Sequence, residues 1–147
     1  ADVNEIYIIR NSLEMITLPH IIENATPGDI AELRQMLAEL DVLDAAGDVE
    51  KLSPAARNFH SRLASISGQR RILRVIEGQD EYIRRFSAVA IAKENRRAAA
   101  HQEHHLLVDY VEKKDLESFT ALMEKHIERS KETCLLALKE TKLAQNG

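Results

Sequence analysis

The sequence predicts an all-α protein: one domain over residues 1–147, folded as an antiparallel bundle of six or seven helices. Apolar residues recur at three- and four-residue steps almost throughout, the spacing that lines one face of a helix. Ala, Leu, Glu, Arg and Lys dominate, Trp is absent, and Phe and Tyr number three each, which excludes the aromatic and β-branched profile of a sandwich or barrel. Five Gly and three Pro are too few for a loop-rich or disordered chain.

A first helix is expected over roughly residues 2–24, with Ile6, Ile9, Leu13 and Ile16 along its buried stripe. Pro19 should kink or split it, because proline lacks the N–H and crowds the preceding turn. A second begins at Thr26-Pro27-Gly28-Asp29, a capping hydroxyl followed by a proline at the first helical position and a carboxylate on the first turn, and stops near Gly47. The third carries Phe59, Leu63 and Ile66 and ends at Ser67-Gly68; Ser53-Pro54 marks either its start or a kink. The fourth runs from about Gln69 into the low nineties, with Gly78 as a bend point. The fifth covers roughly 95–112, Lys113-Lys114 make the turn, and Asp115 caps a sixth that ends near 143. Connections this short make sequential helices antiparallel neighbours.

The formal net charge of −4 argues against nucleic-acid binding as the whole role of the chain, but the average hides a gradient. Residues 1–56 carry 3 basic and 11 acidic groups, residues 57–97 carry 10 and 4, and residues 98–147 carry 7 and 9. The basic middle is a solvated helical face, an anion-attracting cavity or a partner surface. Cys134 is alone, so no internal disulfide forms, in keeping with a cytoplasmic location. No stretch is long and apolar enough for a membrane span, and the N-terminus lacks the pattern of a signal peptide. The first residue is Ala rather than Met, as expected of a piece of a longer protein.

Of six His, three share apolar stripes. His60 follows Phe59 and precedes Leu63 by three; His104 shares a face with Ala100, Leu107, Val108 and Val111; His126 follows Phe119 and Met123 at helical steps. A buried imidazole without a partner costs on the order of 1–3 kcal/mol, so three in one core need a reason. His104 lies about ten residues before the turn and His126 about twelve after it, so both stand roughly 15–18 Å from it and are level on neighbouring helices. His60 joins them by its stripe alone. Three converging imidazoles suit a divalent transition metal, zinc first, with nickel, iron or manganese also acceptable. Such a site holds water for chemistry or takes a ligand carboxylate; satisfied core histidines are the alternative.

The ordered motifs resemble the FCD domain, the C-terminal ligand-sensing domain of the FadR subfamily of GntR-type bacterial transcription regulators. Glu5, Tyr7, Arg10, Leu13 and Glu14 match its opening E-x-Y-x-x-R-x-x-L-E, and Gly47-Asp48 with Phe59-His60 match GD followed by D-x-x-F-H. Ser67-Gly68-Gln69 stands where S-G-N is common, Glu103-His104 with Leu107 and Asp115 matches E-H-x-x-I and the later Asp, and Met123, His126 and Ile127 match M-x-x-H-I. The resemblance implies a helical bundle that binds a small metabolite at its centre and reports occupancy to a DNA-binding domain. Many members hold a divalent metal with one Asp and three His. His60, His104 and His126 occupy the His positions, while the Asp position, one turn before His60, is Ala56. That departure implies weaker metal affinity, with water or an effector oxygen in the place of the carboxylate, or a metal-free site. Arg10 matches an arginine that faces the cavity in similar domains, where it would pair with a carboxylate; a surface salt bridge to Glu14 is its other reading. Arg84 and Arg85 are weaker effector-binding candidates.

The preferred function is therefore an effector sensor for a small carboxylate metabolite, working as a homodimer. Operator DNA would be reached only through a winged-helix domain absent from these residues. A metal-dependent bundle enzyme is the alternative, but there is no H-E-x-x-H, no repeated E-x-x-H, and no basic partner beside Cys134, so no enzymatic activity is expected. Glu103 is expected at the surface, since neighbouring helix positions point about 100° apart. A metal-free structural interaction module is the third reading.

Overall fold

The computed structural model describes residues 3–91 and 94–146, leaving out the side chains of residues 82, 83, 85–91, 94–96, 143 and 144. Among the described residues there are six helices and no strand: α1 (Val3–Asn24), α2 (Pro27–Ala45), α3 (Val49–Ser65), α4 (Arg70–Ile91), α5 (Glu94–Glu112) and α6 (Leu116–Asn146). The all-α bundle is thus the observed architecture.

Local chemistry sets the boundaries. At the start of α2 the Asp29 N–H donates to Thr26 Oγ1 (3.1 Å) and the Thr26 N–H donates to Asp29 Oδ2 (2.9 Å), a reciprocal capping box ahead of Pro27. Gly47 ends α2 with φ 67° and Gly68 follows α3 with φ 71°, left-handed values that cost a side-chain-bearing residue energy. Asp48 caps α3 through the Lys51 N–H, so α3 starts at Val49 and Pro54 lies inside it. Asp115 accepts from the Ser118 N–H at 3.1 Å and opens α6. Neither Pro19 nor Gly78 splits its helix.

One core holds the bundle together, with Phe59, Phe119, Leu33, Leu37, Leu107 and Val108 fully buried. On α1 the expected stripe is only partly right. Ile6 is buried, but Ile9 and Ile16 are 42% and 51% exposed, and the inward face runs through Tyr7, Thr17, Leu18 and Ile21. Arg10 and Glu14 take the inward positions between Tyr7 and Thr17, because there α1 faces a polar cavity instead of the core. Neighbour order departs from expectation as well. α1 packs on α3, α4, α5 and α6 but not on α2, while α2 packs on α3 and α5.

The end of α1 is tied down twice. Asn24 Nδ2 donates to the carbonyls of Ile66 (3.1 Å) and Ser67 (3.3 Å) in the α3–α4 turn. From the α5–α6 turn, Lys114 Nζ donates to the Ile22 carbonyl at 2.9 Å. Polar pairs stitch α2 to α5, among them Arg34 with Asp109 (3.1 Å) and Arg97 with Asp44 (2.8 Å).

Candidate metal and effector site

His60 from α3, His104 from α5 and His126 from α6 meet inside the bundle. The His60 and His104 Nε2 atoms are 2.9 Å apart, and His126 Nε2 is 3.2 Å from His60 Nε2. His104 and His126 are each 6% exposed, and their ring centroids lie 5.2 Å apart, level on neighbouring helices as the spacing predicts. Phe59, one residue before His60, backs the trio with its ring centroid 5.1 Å from that of His104 and 5.4 Å from that of His60.

The outer contacts fix which nitrogen faces inward. His126 Nδ1 lies 2.6 Å from Glu103 Oε2 in a buried contact, and Arg129 Nη1 pairs with the other carboxylate oxygen. An ionised carboxylate only accepts, so the His126 proton sits on Nδ1 and its Nε2 lone pair points at the cluster. His60 Nε2 then faces two ring nitrogens, and a single proton on it can serve only one of them. Burial first, then the neighbouring His104 and His126 rings and the Arg10 guanidinium, holds the His60 imidazole well below its ordinary pKa, so extra protons do not resolve the crowding.

These features fit a divalent metal. Bond lengths of about 2.0–2.1 Å in a tetrahedral zinc site place ligand nitrogens about 3.3 Å apart, close to the two separations found here. A carboxylate on the outer nitrogen of a ligating His is the usual orienting partner. Glu103, expected at the surface from the sequence, is instead 4% exposed and stands in that orienting position on His126. It points toward α6, not toward His104's side of α5, and its place in the Glu103-His104 motif was the available signal. Ala56 is partly buried against the core and brings no ligand atom.

Beside the trio, a cavity of about 290 Å³ is lined by His60, Arg10, Arg57 and Arg84 together with Glu14, Glu77, Asp80 and Glu81. Arg10 borders the cavity and pairs with Glu14, but at 15% exposure that pairing is not a surface salt bridge. Its Nε lies 3.5 Å from Glu14 Oε2 and its Nη1 3.0 Å from Asp80 Oδ1, while the side chain borders the cavity. Burial works to lower the Arg10 pKa, but Glu14 and Asp80 more than offset it, and the guanidinium is held more firmly charged than usual. Burial also pushes the Asp80 carboxyl up against the pull of Arg10. Arg57 is shifted down, by burial and then by Arg84 across the cavity. Arg84 lines the cavity, whereas the Arg85 side chain lies outside the described residues. Cys134 is buried beside Tyr7, a small core residue as expected.

Comparison with known proteins gives the family and the fold. The chain is 30% identical over 118 residues to the HTH-type transcriptional regulator McbR of Escherichia coli (strain K12), an alignment covering 78% of this chain and 52% of the relative. It thus spans about half the length of that regulator. That relative is named as a transcription regulator. The solved structure of E. coli McbR/YncC superposes with a TM-score of 0.83 at 22% identity, over 90% of this chain and 67% of that one, and shows the same fold. The family model of the FCD domain matches residues 5–129, so the chain belongs to the FCD domain family.

Proposed function

We propose that this domain is the effector sensor of a GntR-type transcription regulator, binding a small carboxylate metabolite in the cavity beside His60. The convergence of the three Nε2 atoms, with His60 at the wall of a cavity carrying three arginines, supports this reading most directly. His60, His104 and His126 would hold a divalent cation, zinc first and nickel, iron or manganese otherwise, supplying positive charge and open coordination positions.

That charge matters. The lining carries three Arg and four carboxylates, a formal −1 when all are ionised, so by itself it does not favour an anion. A cation on the neutral imidazoles reverses the sign, and effector binding should therefore depend on metal. Arg10 orients the effector carboxylate by exchanging part of its pairing with Glu14 and Asp80. The cavity volume, at the lower end for ligand pockets, favours a small organic acid. Occupancy shifts the domain only by its difference in affinity between two packings of the bundle. In the full-length regulator, a cytoplasmic homodimer, a separate winged-helix segment would carry that shift to operator DNA.

The test is elemental analysis of protein purified without added metal, followed by thermal melts with a panel of organic acids, with and without chelator. The expected result is stabilisation by an acid that chelator abolishes and His104→Gln removes. Melts indifferent to metals, chelators and acids alike would leave the sensor without its chemistry.

A further inference from the structure

A second convergence of ligand atoms lies on the outside of the bundle. His101 and His105 are one turn apart on α5, and Asp41 projects from α2 across the seam between the two helices. Their Nε2 atoms and a carboxylate oxygen all lie within 4.8 Å of one another. His105 Nε2 stands 3.2 Å from Asp41 Oδ1, and His101 Nε2 contacts that same oxygen. The two rings are edge to face with centroids 5.3 Å apart. An open recess bordered by His101, His105, Asp44 and Gln102 gives solvent access.

We propose that Asp41, His101 and His105 form a second divalent transition-metal site, accessible from solvent and bridging α2 to α5. Two His at i and i+4 on one helix face can bind a single cation, and a carboxylate from a neighbouring helix adds the negative charge that neutral imidazoles lack. Two nitrogens and one oxygen, with water in the remaining positions, suit zinc, nickel or copper. Calcium and magnesium prefer mainly oxygen donors. The site shares no ligand with the buried trio: adjacent positions on α5 point about 100° apart, so His104 turns inward while His105 faces the seam. Its occupant joins α2 to α5 where Asp44 and Arg97 already pair one turn away.

The site is independent of the buried centre, and one experiment separates the two. Zinc is titrated into the full chain while the imidazole C–H resonances of its six His are followed by NMR. The expected result is two equivalents bound, with the His101 and His105 signals responding as one set. The His101→Gln/His105→Gln double variant should bind one equivalent fewer and leave the signals of the buried trio responsive. Asp41→Asn, which leaves both rings in place, should weaken the outer site at least tenfold. Unmoved His101 and His105 signals at tenfold excess zinc, or unchanged stoichiometry in the double variant, would show a plain His–Asp hydrogen-bonded cluster and overturn the proposal. A silent buried trio beside a responsive outer pair would overturn only the sensor reading.

Discussion

Glu103→Gln isolates the contribution of one carboxylate to the buried centre. The substitution keeps shape and volume but removes the charge that the His126 Nδ1–H meets at 2.6 Å and that Arg129 meets from the other side. Without it, the His126 Nδ1–H meets at most a neutral amide oxygen, which fixes the tautomer less firmly and lowers the basicity of the inward nitrogen. Losing such an outer partner typically lowers metal affinity 10–100-fold, about 1.4–2.7 kcal/mol at 25 °C. The contact is buried and charge-assisted, which places the effect toward the upper end of that range. Arg129 is 47% exposed and can be resolvated, so the metal-free chain should lose only about 1–2 kcal/mol. Competition against a chromophoric zinc chelator reads the affinity and urea unfolding of the metal-free protein reads the stability. Arg129→Gln is the control, expected to weaken zinc less than Glu103→Gln because it leaves the carboxylate on His126. Parental zinc affinity in Glu103→Gln would refute the role assigned to this carboxylate.

Ala56→Asp places a carboxylate one turn before His60 and should raise zinc affinity at least tenfold while lowering the melting temperature in chelator; melts with and without metal check both signs. Because the folded state holds His60 well below the ordinary value of about 6.5, the unfolded chain takes up its proton first as pH falls. The metal-free protein should therefore keep full stability above about pH 6.5 and lose it below, with a slope of at most about 1.4 kcal/mol per pH unit from this group. Urea midpoints measured across that window should flatten in His60→Gln. Phe59→Ala, at a fully buried position, should cost about 3–5 kcal/mol in urea unfolding and also loosen two of the three His rings. Thr26→Ala removes one arm of the capping box and should cost about 1 kcal/mol by the same measurement, with zinc affinity unchanged.

Much of this was legible in the sequence because it rests on local chemistry. Thr26-Pro27-Gly28-Asp29, Gly47, Gly68 and Asp115 each mark a boundary through a cap or a left-handed residue, and the structure places those boundaries within a few residues. The level placement of His104 and His126 followed from helical rise across a single tight turn. What failed depended on facts distant in sequence. Ile9 and Ile16 were assigned inward because they are apolar, yet the inward face at that height belongs to Arg10 and Glu14, and only the cavity bounded by α3 and α4 explains it. Glu103 looked like a surface residue until α6 supplied His126 and Arg129. Asp41 meets His101 and His105 across 60 and 64 positions of chain, a pairing no local spacing encodes.

The double tie at the end of α1 is one of two clamps on that helix, the other being the buried Val3, Ile6 and Tyr7. Asn24 and the Ile22 carbonyl are fastened to two separate turns, and between the clamps, about 21 Å up the axis from Asn24, Arg10 borders the cavity and pairs with Glu14 and Asp80. If the proposed effector draws Arg10 sideways, it pulls on a span held at both ends and not on a free arm. Val3, about 32 Å from Asn24, is only 3% exposed, so the far end of the rod is clamped as the near one is.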